Sequence, residues 1–430
     1  MKKLFWGTPA FDRGLAALYD RAAFPPEAEK AAAEIISGVR KGGDASLVGY
    51  AKKFDRADLA PEQFRVTQEE LAEAGKKLPA ADRRAIRTAL AQVRQFARLT
   101  RPRDWKCSPR PGVVVGEKFT PMERVGVYIP GGTAPLVSTV IHTAGIAKAA
   151  GVREVVAVTP PGRLHPATLY AMSCAGVDEV YRLGGVYGVA ALAVGTETIR
   201  KVEKIAGPGN AYVTAAKKLL YGEVAIDLVA GPSEILVIAD ETADPAFVAA
   251  DLLSQAEHGS GLEQAVLVAT SRPLIDDVEK EIRRQKALRS RQETIEKVMA
   301  RGMFLIWVPD LPTACGLAGK YAPEHLELQV ASPEKWAGKI VAAGAVFLGP
   351  WTPEPVGDFC AGPSHVLPTA SSARSFNGLE TRSFFRRTSL VKYTKRALMR
   401  EAEIVERFGM MEGLDAHAEA AAIRRKAGRG

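Results

Sequence analysis

Residues 233–259 read SEILVIADETADPAFVAADLLSQAEHG, and the fold turns on how they are read. "SEILVIAD" is a short apolar strand, and the segment after it has the marks of a helix. Asp244 can cap its N-terminus, Pro245 suits the first helical position, and Gly259 can close the C-terminus. Phe247, Val248, Leu252 and Ala256 recur at helical spacing. Gln255 and His258, three residues apart, share a face of the last turn. One strand feeding one helix is the unit from which the rest of the chain is built.

Downstream the unit repeats: "QAVLVAT", a charged helix around 272–300, "MFLIWVP" and "GAVFLGP". Upstream, "EVVAVTP", "DEVYRLGG", "KIAGPGN" and "VAIDLVAG" alternate with helical "ATLYAMSCAG", "GVAALAVG" and "AYVTAAKKLLYG". Two such runs predict an α/β protein of two incomplete Rossmann-like domains on parallel sheets, with small N-terminal and C-terminal helical extensions. Residues 25 to about 100 read as helices, with a capping box at Thr67 and Glu70 and a stop at Pro102. "GVVVGEKF" and "RVGVYIP" read as a hairpin, and within the polar tail "YTKRALMREAEIVERFGMMEGLDAHAEAAAIRRK" reads as helical to its end. The expected division is 1–22 as an N-terminal extension, 23–127 with 237–378 as the first α/β domain, 128–236 as the second, and 379–430 as the C-terminal extension.

The 430 residues are 47% hydrophobic and 25% charged, the balance of a globular protein with a large core. The opening "MKKLFWGTPAFDRG" has only a three-residue apolar run and does not read as a signal peptide, and no apolar stretch approaches a membrane span. Cys107, Cys174, Cys315 and Cys360 form no CxxC pair, which suits a reducing cytoplasm. The net charge of +9 concentrates in "RRQKALRSR", "KRALMRE" and "RRKAGRG", diluted helix faces and a chain end without aromatic interleaving. They read as solvated surface rather than a nucleic-acid or membrane site, and their field favours anionic cofactors.

Strand ends with Gly-rich turns are where α/β proteins bind ligands. "YIPGG" (128–132), "GPGN" (207–210) and "AGPSE" (230–234) are such turns, although none is a dinucleotide fingerprint or a P-loop. Each is either a plain tight turn or a ligand contact, with Ser233 available as a hydroxyl donor. His142, in an apparent helix, and His165, in a loop, read as structural or exposed. The other histidines keep acidic company. "YAPEHLELQV" puts Glu324 beside His325 at the mouth of a strand, "PVGDFCAGPSHVLP" carries Asp358 and His365, and "EGLDAHAEA" carries Glu412 and His417. With Gln255 and His258 they offer a nitrogen and oxygen metal set of two imidazoles, a carboxylate and an amide.

In this order, "VGVYIPGG", "GTETI", "KIAGPGNAYVTAAK", "AIDLVAGPSEILVIAD", "DLLSQAEHG", "YAPEHLEL", "GAVFLGPWTPEPVGD" and "AGPSHVLPT" resemble the histidinol dehydrogenase family, densely from Val125 to Thr369 and again at "EGLDAHA". The resemblance implies Gln255, His258, Asp358 and His417 as ligands of one zinc per subunit, and Glu324 and His325 as the catalytic pair. It implies that Ser233, Gln255, His258, His325, Asp358, Glu412 and His417 contact histidinol, with Ser138 and His365 as further contacts. Tyr128 and Asn210 match contacts to NAD. Tyr187 stands where the family usually carries a glutamine that touches the cofactor. Cys360 matches no family motif and is not assigned a role.

The implied reaction oxidises L-histidinol to L-histidine through L-histidinaldehyde, consuming two NAD. In it His325, near the unperturbed imidazole pKa of about 6.5, serves as base, and Glu324 activates water. Relatives that oxidise other small alcohols, such as sulfonated propanediols, are the alternative. The family also implies a cytoplasmic homodimer in which the extension bearing Glu412 and His417 reaches the partner's active site.

Overall fold

Three sheets organise the residues described by the computed structural model, 1–21, 25–131 and 135–427. The expected boundary at 22–23, Gly132 of the first turn and the last three residues of the basic tail lie outside them. In chain order the strands are β1 (Lys2–Phe5), β2 (Trp105–Arg110), β3 (Val113–Pro121), β4 (Arg124–Tyr128), β5 (Glu154–Val158), β6 (Glu179–Tyr181) and β7 (Lys204–Ala206). They continue with β8 (Ala225–Ile226), β9 (Glu234–Ala239), β10 (Gln264–Ala269), β11 (Met303–Trp307), β12 (His325–Gln329), β13 (Ala345–Leu348) and β14 (Phe385–Tyr393).

The first sheet is parallel, in the order β6-β5-β4-β7-β8. The chain runs outward from β4 through β5 to β6, then returns to lay β7 and β8 on the other side. The second is also parallel, in the order β1-β11-β10-β9-β12-β13, and repeats that winding from β9. Each sheet therefore reverses direction once, between β4 and β7 and between β9 and β12, and such reversals open crevices for ligands. Every residue of β4 and β9 is buried, as expected of a strand covered by helices on both faces. At the first reversal Gly207 has φ +124°, and a Cβ there would fall 2.3 Å from the Tyr128 carbonyl oxygen. Only glycine lets these two strand ends close together, which accounts for the "GPGN" turn.

The helices Pro26–Asp55, Gln68–Ala74 and Ala80–Leu99 serve the five-stranded sheet, although 23–127 was expected with the other domain. The first does so through its apolar stripe, Ala32, Ile36, Val39 and Leu47, which packs in one core with Val189 and Leu192, and the other two pack on the helix Pro166–Ala175 of that sheet. The expected box at Thr67 forms, with the Glu70 N–H donating to Thr67 Oγ1 at 3.2 Å and the Thr67 N–H to the Glu70 carboxylate at 2.8 Å. β1, read as part of an extension, is the edge strand of the six-stranded sheet.

Both parallel sheets lie in one unit, residues 1–100 and 122–384. Residues 101–121 and 385–430 form a second unit, built on the antiparallel sheet β14-β3-β2. The expected hairpin is corrected here. β3 turns back on β2 across Gly112, whereas "RVGVY" is β4 of a parallel sheet. Burial explains the difference, since β3 is only partly covered and β4 is covered throughout. The tail helices form as expected, Lys395–Met411 and Asp415–Ala427, but the 379–430 extension is not helical throughout, because the nine residues of β14 precede them. Those helices pack closely at Gly409, where a Cβ would sit 2.7 Å from the Ala418 nitrogen.

Candidate active site

The helix of the opening stretch runs Pro245–Ala256, and the Asp244 carboxylate accepts from the Ala246 N–H at 2.7 Å as its cap. Its Val248, Leu252 and Ala256 stripe enters the core of the six-stranded sheet, while Phe247, half-buried, meets Trp351 edge-on. This packing turns Gln255 inward, fully buried, and leaves His258 exposed just past the last turn. Gln255 Nε2 lies 3.3 Å from His258 Nδ1, and Gln255 Oε1 is buried with no hydrogen-bond partner.

Beside this helix are the amino ends of β9 and β12. The Glu234 N–H donates to Glu324 Oε2 at 2.9 Å, and His325 Nδ1 lies 3.0 Å from the Glu234 carbonyl oxygen. One residue's backbone thus holds both members of the Glu-His pair. Because a carbonyl only accepts, Nδ1 must carry the imidazole proton, and Nε2 faces the site as an acceptor. The Glu234 carboxylate is anchored in turn by Arg21, whose Nη1 donates at 2.8 Å.

The third element is the short helix Glu354–Phe359, which brings Asp358 to the imidazoles. His258 Nε2 is 3.9 Å from Asp358 Oδ2, and His325 Nε2 is 3.8 Å from Asp358 Oδ1 and 3.6 Å from Glu354 Oε1. His365 follows on the next loop, with Nδ1 3.2 Å from the Asp358 carbonyl oxygen, and it stacks on His142 at 4.6 Å between ring centroids. A cavity of about 480 Å³ opens on this cluster. Its walls include Ser233, His258, Glu324, His325, Asp358 and His365, with Ser138 beside them. Pro130, Pro208 and Gly209, at the carboxyl ends of β4 and β7, complete it. The cavity therefore joins the carboxyl edge of one sheet to the amino edge of the other.

Burial sets the charges. It lowers His325 to about 4, against the opposing pull of Asp358, so the imidazole is a neutral base rather than one titrating near 6.5. It pushes the Glu324 carboxyl well above the usual carboxylate range. Burial also raises Asp358, but His365, His325 and His258 outweigh it and hold this carboxyl below its ordinary value.

The donor set suits a cation. Gln255 Oε1 and His325 Nε2 are buried without a hydrogen-bond partner, and the His258 imidazole and Asp358 carboxylate stand just beyond hydrogen-bond reach of each other. His325, Glu354 and Asp358 also bring ligand atoms within 4.8 Å of one another. The other two expected site residues, Glu412 and His417, belong to the second unit, at the junction of its two helices, and both are exposed.

The expected cofactor residues fare differently. Asn210 is exposed and caps the helix Ala211–Leu220, its side-chain oxygen accepting from the Val213 N–H. Tyr128 is buried, its hydroxyl 3.3 Å from the Gly185 nitrogen. Tyr187 is corrected from a cofactor contact to a core residue: it is 1% exposed, lies against Tyr50, and spends its hydroxyl on Asp55. His142 is structural, as one of its two readings had it: it is buried in a π-helical turn, and burial lowers it to about 3. Glu234 and Glu354 join the site without a sequence motif to mark them. The only signal for them was an acid at the head of an apolar strand and another after Pro353.

Comparison with known proteins fits this geometry. The family model for histidinol dehydrogenase matches residues 20–425. The histidinol dehydrogenase of a Synechococcus strain is 44% identical over 93% of this chain and 92% of its own. That of Neisseria meningitidis serogroup A is 43% identical over 99% of this chain and all of its own. The crystal structure of histidinol dehydrogenase from Elizabethkingia anophelis superposes with a TM-score of 0.95 at 34% identity, covering 100% of this chain and 99% of that one. With the motifs in order and the fold shared over its whole length, the chain belongs to the histidinol dehydrogenase family.

Proposed function

We propose that this chain carries out the four-electron oxidation of L-histidinol to L-histidine through L-histidinaldehyde, at the end of histidine biosynthesis. Family membership supports the reaction and its NAD dependence. The observation that carries the mechanism is His325, a buried neutral imidazole whose Nδ1 proton is given to the Glu234 carbonyl and whose Nε2 has no partner. Bound zinc would supply Lewis acidity toward the substrate, and bound NAD would accept the hydride. Gln255, His258 and Asp358 of one subunit, with His417 of the partner subunit, are the residues we assign to hold the zinc, one per subunit. Asn210 is the remaining candidate for a cofactor contact in the described residues, since Tyr128 and Tyr187 are turned into the core. Ser233, Ser138 and His365 line the cavity and are assigned to the substrate, with Glu412 of the partner subunit.

In the first half-reaction His325 Nε2 accepts the hydroxyl proton as hydride leaves the carbinol carbon. In the second, Glu324 takes a proton from the water that attacks the aldehyde. Its burial makes it a stronger base than an exposed carboxylate once it is ionised. Glu324→Gln should therefore slow oxidation of supplied histidinaldehyde by at least about tenfold more than it slows the alcohol step. Single-turnover measurements on each substrate check this, and equal losses would remove Glu324 from water activation.

NADH formation from histidinol, from other amino alcohols and from a sulfopropanediol tests the substrate. The expected result is a kcat/KM for histidinol about a hundredfold or more above the rest, and preference for the sulfo alcohol would overturn it. Chelation should abolish activity, and zinc or manganese should restore it, both metals accepting mixed nitrogen and oxygen ligands. Full activity in protein shown to be metal-free would sink the zinc assignment. No helix among the described residues is long and apolar enough to cross a membrane. We assign the enzyme to the cytoplasm, where its free cysteines stay reduced.

A further inference from the structure

The strand that carries His325 has an acid where an apolar residue belongs. Side chains alternate along β12, so Leu326 and Leu328 enter one apolar core while His325, Glu327 and Gln329 face the other side. On that side their in-register neighbours on β9 are Ile235, Val237 and Ala239, all core residues. Glu327 is 1% exposed, and Gln329 and Asp251 are buried with it. Gln329 Nε2 donates to Asp251 Oδ2 at 2.7 Å and to Glu327 Oε2 at 2.9 Å. The other carboxylate oxygen, Glu327 Oε1, accepts the Glu354 N–H at 2.7 Å.

Each end of this brace lands on an element that carries an assigned zinc ligand. Asp251 lies one turn before Gln255 on the Pro245–Ala256 helix. Glu354 begins the helix that ends with Asp358 and Phe359. Glu327 itself sits two residues from His325 on β12. Buried polar clusters of this kind are commonly neutral or unfavourable for stability relative to packed apolar residues, so their use lies elsewhere.

We infer that Glu327 is a positioning residue for the metal centre: without touching the ion, it sets the spacing between the helix of Gln255 and His258, the strand of His325 and the helix of Asp358. This rests on the zinc reading proposed above. Outer partners of this kind orient the ligands and are worth about 10- to 100-fold in metal affinity. Burial raises Glu327 well above the carboxylate range and Asp251 to about 6, and a glutamine at 327 keeps the length and an oxygen to accept the Glu354 N–H.

The test is zinc affinity of the full-length protein, measured by competition with a chelator of known affinity, alongside melting of the metal-free form. Glu327→Leu should bind zinc about tenfold or more weaker while its metal-free melting stays near wild type, and Glu327→Gln should stay within about threefold of wild type. Zinc binding by folded Glu327→Leu at wild-type strength overturns the inference. So does an equal loss in both variants, which would assign the effect to charge. If Glu327→Leu does not fold, Gln329→Met replaces it, since it cuts the bridge at similar length: weaker zinc binding supports the brace, and unchanged binding overturns it. His258→Ala is the control. If it too leaves zinc affinity unchanged, the zinc assignment itself fails. If it loses zinc while folded Glu327→Leu does not, only the brace fails.

Discussion

His325→Ala should lower kcat for histidinol by about two to four orders of magnitude, the usual worth of a positioned general base. That corresponds to about 3 to 5 kcal/mol of transition-state stabilisation. The size of the effect follows from geometry. His325 is locked from behind by the Glu234 carbonyl, is almost fully buried, and offers its second nitrogen to a cavity with no competing partner. His325→Asn sharpens the test, because its amide N–H can replace the donor to Glu234 while removing the base. Asparagine at alanine's level of activity, with an unchanged melting temperature, identifies proton transfer as the lost function. Activity near wild type in either variant would remove His325 from the chemistry.

Co-expression of His258→Ala and His417→Ala chains, each inactive alone, should restore about a quarter of wild-type activity if chains assort at random into twofold dimers. In a heterodimer with shared sites, one site receives both lesions and the other receives none. A site built from one chain would carry one lesion wherever it formed, and nothing would recover. Two observations motivate the shared arrangement. The pocket of the first unit is lined by His258 and Asp358, with Gln255 Oε1 buried and unpartnered one turn from His258, while His417 belongs to the second unit and is exposed. The helices of that second unit also leave Ile404, Val405, Phe408, Met410, Met411, Leu414 and Ile423 exposed, and clustered exposed apolar residues mark interaction surfaces. We propose that a second copy of the chain covers these. Absence of rescue, with heterodimers confirmed by mass, would overturn the shared site.

Local chemistry was legible in the sequence where the interaction is itself local. Asp244 caps the helix that begins at Pro245, and Thr67 and Glu70 close their box, because each partner lies within three residues of the other. Continuous apolar runs such as "EILVIA" identified strands covered on both faces, since only a parallel sheet between helix layers buries every residue of a strand. The ordered motifs identified the family, and with it the residues to examine.

Tertiary structure decided everything that depends on partners far apart in the chain. β3 pairs with β14, some 270 residues later, and not with its neighbour "RVGVY". The side chain at 187 points into the core because Asp55 and Tyr50 receive it there. His325 is a neutral base because the fold removes it from water, and no sequence pattern reports a dielectric environment. Glu234 and Glu327 carry little signal of their own: an acid in an apolar strand reads as a surface residue until the distant partners of its carboxylate are in place, Arg21 213 positions from Glu234 and Glu354 27 positions from Glu327. The amino edge of one sheet meets the carboxyl edge of the other only after both have been wound, and the cavity exists at that junction.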